Sequence, residues 1–278
     1  MIKRILIPTD GSPNSSIALE YGFSLATFFK AEIVGLNVVD IRSLEGPLLS
    51  DISGSLGFSP IQNYLPQFQQ ILDSRSDTIL ELFKTSCSEK GISAKTKKMT
   101  GIIANIIADE ARKADLLIIS QHGEHERWSS GLLGSTTESV VRKSPIPVLV
   151  TPGAYRRFNN ILVAYDGSIE SSHALKCALD FFGENSQTIK IVYIAQEEEK
   201  GRMLAAEIAE IVTPYNLTYE SIWLQGEAAK EILSFAQRTA MDIIVMGAFG
   251  HSRLHDLLLG STAAYIIRNS VIPILLHR

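Results

Sequence analysis

The sequence predicts two repeated α/β domains, each a doubly wound, five-stranded parallel sheet with helices on both faces. Three observations predict this class: an internal repeat, near-continuous apolar runs, and helical periodicity between those runs. Residues 4–19 read RILIPTDGSPNSSIAL, and residues 160–175 read NILVAYDGSIESSHAL. Later in each half, DLLIISQHG, LLGST and SPIPVLV are matched by DIIVMGAFG, LLGST and SVIPILL. Repeats of this length fold as whole domains.

Strands and helices alternate along each half. The expected strands lie near residues 4–9, 32–39, 94–100, 115–120 and 146–150, and again near 160–165, 189–195, 218–225, 242–247 and 272–276. Apolar runs of this kind are typical of strands buried on both faces, and their alternation with helices favours right-handed crossovers. The two domains are predicted to span residues 1–152 and 158–278, with the linker at Thr151–Arg157.

The first half carries an insertion. Asp10 corresponds to Asp166, 156 residues later, whereas Gly134 corresponds to Gly260, 126 residues later. The extra residues fall within 41–72, a segment rich in Ser, Gly, Pro and Gln that predicts a long loop after the second strand. Its role stays open between a lid over the first-half site, an apolar contact surface and a mobile connection.

Composition excludes several classes of function. The chain has 278 residues, 45% hydrophobic and 20% charged, with a net charge of −4. No basic stripe indicates nucleic acid, and no apolar run approaches the roughly 18 residues of a membrane span. Cys87 and Cys177 lack metal-ligand spacing. We therefore expect a soluble, cytoplasmic protein that binds neither nucleic acid nor membrane.

The second half contains a glycine-rich turn with the chemistry of a phosphate cradle. It reads Gly247-Ala-Phe-Gly250, then nine residues, then Gly260-Ser261-Thr262 at a helix start. Glycines allow positive φ and close approach of backbone N–H groups to a ligand. The first N–H groups of a helix lack internal partners, and the helix dipole favours an anion there.

Asp166 closes the first strand of the same half, and Gly247 closes the fourth. In a doubly wound sheet these strands flank the switch point where ligands bind, and a carboxylate there can accept hydrogen bonds from a ribose or an adenine amino group. The opposing interpretation is structural. Strand-to-helix turns use glycine for backbone reasons, and an Asp-Gly-Ser turn favours an Asx-turn or a helix N-cap.

This combination resembles the universal stress protein family in its tandem two-domain form, over nearly the whole chain. The resemblance is carried by Asp-Gly-Ser after strand 1, by the G-x2-G-x9-G spacing from Gly247 to Gly260 followed by Ser261, and by the closing strand IPILL. It implies a strand order of 3-2-1-4-5, ATP or AMP in the crevice, with or without Mg²⁺, and antiparallel pairing of the two last strands. Each chain would then be a pseudo-dimer, and a further homodimer stays open.

The resemblance also implies roles for individual residues. Ala164 and Asp166 would lie near adenine and ribose, and Ile194 would line the adenine pocket. Met246 and Gly247 would contact the ribose side. The phosphates would be held by Gly250, Gly260, Ser261 and Thr262.

The first half departs from this pattern. Ser120 replaces the first glycine, ten residues rather than nine separate Gly123 from Gly134, and the loop carries Glu124 and Glu126. Carboxylates repel phosphates. We therefore expect a site that is weak, empty or altered here, formed by Asp10, Gly123, Gly134, Ser135 and Thr136, and a working site in the second half.

Nucleotide binding by a stress-response regulatory protein is the function that the sequence favours. A slow ATPase or autophosphorylating enzyme and an interaction module without nucleotide stay open as alternatives. We assign no catalytic residue, because only His251 and His255 offer a base near the phosphate turn. Efficient phosphoryl transfer also needs in-line positioning and charge neutralisation. His122 and His125 lack a third ligand, so we expect no metal centre of their own.

Overall fold

The structure is a computed structural model that describes residues 2–40, 61–123, 135–183, 188–249 and 259–278. The strands of the first half are β1 (Arg4–Pro8), β2 (Glu32–Asp40), β3 (Ala94–Gly101), β4 (Leu116–Ser120) and β5 (Val148–Thr151). Its helices are α1 (Pro13–Phe29), α2 (Ile61–Glu89), α3 (Ile103–Ala111) and α4 (Ser135–Lys143).

The second half repeats this order. Its strands are β6 (Asn160–Tyr165), β7 (Thr188–Ile194), β8 (Glu220–Leu224), β9 (Ile243–Gly247) and β10 (Ile274–His277). Its helices are α5 (Ile169–Phe182), α6 (Glu198–Val212), α7 (Ala228–Arg238) and α8 (Ser261–Asn269), with a short 3₁₀ turn at Thr213–Tyr215.

All ten strands form one sheet, in the order β3-β2-β1-β4-β5-β10-β9-β6-β7-β8. Each half is parallel and has the order 3-2-1-4-5, which confirms the predicted fold class. The halves meet where β5 pairs antiparallel with β10, Val150 opposite Ile274. The expected pairing of the two closing strands is thereby confirmed, and neither apolar edge is left open.

Helices cover both faces because the strand residues alternate between two cores. On β6, Ile161 and Val163 pack with α5 and α6, whereas Leu162 and Ala164 pack on the opposite face with α7 and α8. All four side chains are buried. Burial on both faces explains why the strands read as continuous apolar runs in the sequence.

The insertion is partly helical, which corrects the prediction of a loop over 41–72. The helix α2 begins at Ile61, so residues 61–72 belong to it, while residues 41–60 lie outside the described ranges. Pro66 and the polar composition indicated a loop. Glutamine and leucine are good helix formers, however, and this glutamine-rich stretch continues the helix despite the proline.

The linker between the halves is packed against α1. The Tyr21 hydroxyl donates to the Ala154 carbonyl at 2.9 Å and accepts from the Arg156 N–H at 3.1 Å. Its ring stacks on Phe158, with 5.5 Å between the centroids. Burial raises the pKa of Tyr21 to about 12, so the hydroxyl keeps the proton it donates.

Within the described ranges, no helix is long and apolar enough to cross a bilayer.

The edge strand β3 is tied to α3 by a buried carboxylate. Glu110, 6% exposed, forms ion pairs with Lys97 on β3 and with Lys113, the latter at 2.5 Å. Burial would raise the pKa of Glu110, but hydrogen bonds and charge from Lys113 and Lys97 outweigh it and hold the pKa below its ordinary value of 4.5. A carboxyl with a depressed pKa stabilises the fold above that value and loses its contribution as the pH falls through the folded pKa.

Replacing Glu110 by Gln is expected to lower the free energy of unfolding by about 1 kcal/mol at neutral pH, because both partner lysines are partly exposed and screened. The difference from the parent should shrink as the pH falls below 4.5. Urea unfolding at a series of pH values measures this, with Glu89→Gln, an exposed carboxyl at the end of α2, as the control. A pH-independent difference would contradict the ion-pair account.

Candidate functional site

Both candidate sites lie at the carboxyl ends of the strands, where the strand order reverses direction. In the first half β1 lies between β2 and β4, and in the second half β6 lies between β7 and β9. The connections from β1 and β4, and from β6 and β9, leave on opposite faces, which opens a crevice at each of these two points.

The Asp-Gly-Ser turns are built identically in the two halves. An oxygen of Asp166 accepts from the Ser168 N–H at 3.0 Å, and one of Asp10 accepts from the Ser12 N–H at 2.9 Å. Each turn is an Asx-turn, and Ser12 and Ser168 cap the helices that follow. The structural role considered for these aspartates is therefore real, and it also fixes each carboxylate at the mouth of its crevice.

Glycine is required at the centre of both turns. Gly11 has φ of 78° and Gly167 has φ of 84°. These values lie in the left-handed region, where a side chain is strained. A Cβ on Gly11 would lie 2.9 Å from Ile79 of α2, and a Cβ on Gly167 would lie 2.9 Å from Leu204 of α6. The turns are thus held against the helix that follows the second strand.

Three apolar second-half residues, predicted near the base or on the ribose side, lie on one face of the sheet. Ala164 and Met246 are buried in the core under α7 and α8, and the half-buried Ile194 packs against the same core. They come from β6, β9 and β7, whose carboxyl ends adjoin. The structure brings these three apolar side chains together beside the Asp166 turn.

The structure shows that residue 247 must be glycine for a reason other than the predicted one. Its φ is not in the left-handed region, and a Cβ there would lie 3.0 Å from the Glu170 Cβ and 3.1 Å from the Ser171 N. Glycine is needed because the first turn of α5 packs on the end of β9. The prediction that Gly247 supplies positive φ is wrong, and Gly250 lies outside the described residues.

The start of α8 faces the same end of the sheet. Gly260 is the N-cap, and its N–H donates to the Ala248 carbonyl at 3.1 Å, directly after β9. Ser261 and Thr262 form the first turn, and no side chain of the described residues caps it. The partial positive charge of this helix start is therefore available to an anion beside β9.

The first-half site contains a cavity of about 380 Å³. Four of its five predicted residues line it, namely Asp10, Gly123, Ser135 and Thr136, and Gly134 lies outside the described residues. A Cβ on Gly123 would lie 3.5 Å from the Asp10 carboxylate, so the turn after β4 approaches Asp10 closely. The structure thus brings the first-half residues together around an open volume.

Sequence reasoning missed the contribution of α2 to this cavity. Arg75 and Ser76 of α2 line the cavity, and so does Asp40, the last residue of β2. Arg75 and Ser76 lie beyond the insertion at 41–72, so the insertion gave no signal for them. The only available signal was position, because a helix that follows the second strand must start near the carboxyl edge of the sheet.

The two sites are connected through α8. Gln121, which follows the Ser120 that replaces the glycine, donates through its side-chain amide to the carbonyls of Ile267 and Arg268, the latter at 3.2 Å. Arg268 also pairs with Glu138 of α4 at 3.3 Å. The first half thereby holds the carboxyl end of the helix whose amino end faces the second site.

The geometry defines a tandem, doubly wound protein with a crevice at the switch point of each half. The model of the universal stress protein family matches residues 1–152 and 157–278. The chain belongs to the universal stress protein family.

Relatives match along the whole chain or along about half of it. Universal stress protein Slr1230 of Synechocystis sp. is 28% identical and covers 100% of both chains. Universal stress protein MJ0577 of Methanocaldococcus jannaschii is 31% identical, over 54% of this chain and 94% of its own length. The crystal structure of a universal stress protein from Archaeoglobus fulgidus shares the fold, with a TM-score of 0.76 at 23% identity over 99% of this chain and 98% of that one.

Proposed function

We propose that this chain is an adenine-nucleotide-binding regulatory protein of the stress response, and that domain 2 (158–278) holds ATP or AMP, with or without Mg²⁺. The observation that carries the proposal is the start of α8, which no side chain of the described residues caps, beside the end of β9 and next to the Asp166 turn. An anion-binding helix start and a carboxylate on two sides of one crevice match the two ends of a nucleotide.

The assignment follows the chemistry of each part. Ala164 and Ile194 offer an apolar surface for the base, and Met246 contacts the ribose side. The Asp166 carboxylate accepts from the ribose hydroxyls, and the glycine turn from Gly247 to Gly250 together with Gly260, Ser261 and Thr262 holds the phosphates. Nucleotide binding of this kind raises the stability of the folded domain and does not require hydrolysis of the nucleotide.

The charge of the loops favours the second half over the first. The sequence after Gly250 contains His251, Arg253 and His255, whereas the sequence after Gly123 contains Glu124 and Glu126. Cationic groups near the phosphates favour a nucleotide, and carboxylates there oppose it. Domain 1 (1–152) therefore contributes little to nucleotide affinity in this proposal. The proposal also takes the protein to be a cytoplasmic pseudo-dimer.

The proposal is tested by nucleotide release and thermal stability. Denaturing the purified protein and chromatographing the supernatant is expected to yield ATP or AMP. Adding ATP at about 100 times its Kd should stabilise the chain by about 2.7 kcal/mol and raise the Tm by about 5 °C. Calorimetric titration should give one site per chain.

The outcomes separate the candidate functions. Released ADP together with steady phosphate production would favour the slow ATPase. No released nucleotide and no change in Tm would favour the interaction module. Two equivalent sites per chain would contradict the assignment to the second half.

A further inference from the structure

The carboxyl end of α8 is capped by a side chain of the first half. The last four carbonyls of an α-helix have no partner within the helix. In α8 the Ile266 carbonyl accepts at 2.9 Å from the N–H of Ser270, the residue that follows the helix. The next two carbonyls, of Ile267 and Arg268, accept from the side-chain amide of Gln121, the latter at 3.2 Å. Two terminal carbonyls of α8 are thus satisfied from the other half of the chain.

Gln121 is fixed in the first half by hydrogen bonds at both ends of the peptide group that joins it to Ser120. Its N–H donates to the Thr151 carbonyl of β5 at 2.8 Å. The Ser120 carbonyl accepts from the Thr137 hydroxyl of α4 at 2.9 Å. All four residues are buried. A shift of α8 must therefore either break the bonds from Gln121 or move the end of β4.

The corresponding position in the second half is an alanine. Ala248 follows β9 as Gln121 follows β4, and its N–H donates to the His277 carbonyl at 2.8 Å, as that of Gln121 does to Thr151. A methyl side chain donates no hydrogen bond, so Ala248 cannot cap α4 in return. The cap therefore acts in one direction, from the first half onto the helix whose start faces the second-half site.

The position of α8 decides where its free N–H groups lie. The helix has nine residues, from Ser261 to Asn269, and at 1.5 Å per residue it is a rigid rod about 14 Å long. Because Gln121 holds one end of this rod, the other end is presented to a ligand in one place, and less free energy is spent on ordering it when the ligand binds. Small shifts of packed helices are also a common way in which two sites are coupled.

We propose that Gln121 is a positioning residue for the second-half site, and that it couples the occupancy of this site to the end of β4 in the first half. The coupling rests on the nucleotide site proposed above for the second half, and it needs no ligand in the first half. A ligand on the start of α8 selects the helix position that Gln121 also stabilises, so the cap and the ligand strengthen each other.

The variant Gln121→Ala copies the residue that the second half has at this position, and it tests the positioning role. ATP affinity, measured by calorimetry well below the Tm, is expected to fall about 5-fold because the hydrogen bonds that hold α8 are lost. Glu138→Gln is the matched control, since it weakens the exposed ion pair with Arg268 of α8 but leaves both carbonyls capped. The control should keep the parent's affinity. Unchanged affinity in Gln121→Ala, or an equal loss in both variants, would overturn the positioning role.

Methyl NMR of isoleucine-labelled full-length protein tests the coupling, with ATP as the probe. Ile194 reports on the second-half site, Ile267 on α8 and Ile119 on β4. In the parent all three signals are expected to move with the same midpoint. In saturated Gln121→Ala the shift of Ile119, relative to that of Ile194, should fall at least about 2-fold.

The outcomes separate the coupling from the nucleotide site. An Ile119 signal that does not move in the parent, or that moves undiminished in Gln121→Ala, would overturn the coupling and leave the second-half site in place. An Ile194 signal that does not respond to ATP would instead contradict the proposed nucleotide site, and the coupling with it.

Discussion

Replacing Gly35 by isoleucine is expected to lower the free energy of unfolding by about 3 kcal/mol, because β2 and α2 touch at this residue. A Cβ on Gly35 would lie 2.5, 2.7 and 2.9 Å from three atoms of the Phe83 ring. Both residues belong to a fully packed core, and Phe83 is 4% exposed, so the ring has nowhere to move without shifting α2. Thermal and urea unfolding measure the loss.

The second half provides the matched control for this change. Ile191 of β7 stands at the register position of Gly35, and Ile208 of α6 corresponds to Phe83. Each half therefore fills the same space, once with a glycine and a phenylalanine, and once with two isoleucines. Phe83→Ile alone should cost about 1–2 kcal/mol through the space it leaves.

The double variant Gly35→Ile with Phe83→Ile copies the pair of the second half and should recover stability to within about 1 kcal/mol of the parent. Additive losses in the double variant would contradict the account of complementary volumes.

The features that the sequence predicted well are those with a local or repeated signal. The alternating strands and helices follow from apolar periodicity, and the Asp-Gly-Ser turns follow from a motif present twice, at Asp10 and Asp166, while the strand order followed from the family resemblance. Antiparallel pairing of β5 with β10 followed from two apolar edges that needed a partner, and from the family resemblance.

The features that were missed depend on contacts between distant segments. Gly247 is glycine because α5 packs on it, and no pattern near residue 247 shows this. The contribution of Arg75 and Ser76 to the first-half cavity became visible only once α2 was placed over the crevice. Comparison of the two repeats predicts the features that the halves share, whereas packing between distant segments determines where the halves differ.

Asp166→Asn is expected to reduce ATP affinity by about 10-fold or more while the domain stays folded. The amide oxygen of Asn can still accept from the Ser168 N–H, so the turn that starts α5 is kept. The negative charge that strengthens hydrogen bonds from the ribose hydroxyls is removed, and hydrogen bonds to charged groups contribute about 1.5–3 kcal/mol. Calorimetry with ATP measures the change, and circular dichroism checks the fold.

Asp10→Asn makes the same substitution in the same turn of the first half, where Asp10 accepts from the Ser12 N–H. Because nucleotide binding is assigned to the second half, this variant should leave ATP affinity unchanged. An equal loss of ATP affinity in both variants would mean that both crevices hold nucleotide. A loss in Asp10→Asn alone would reverse the assignment, since both turns keep the same main-chain hydrogen bond to the aspartate.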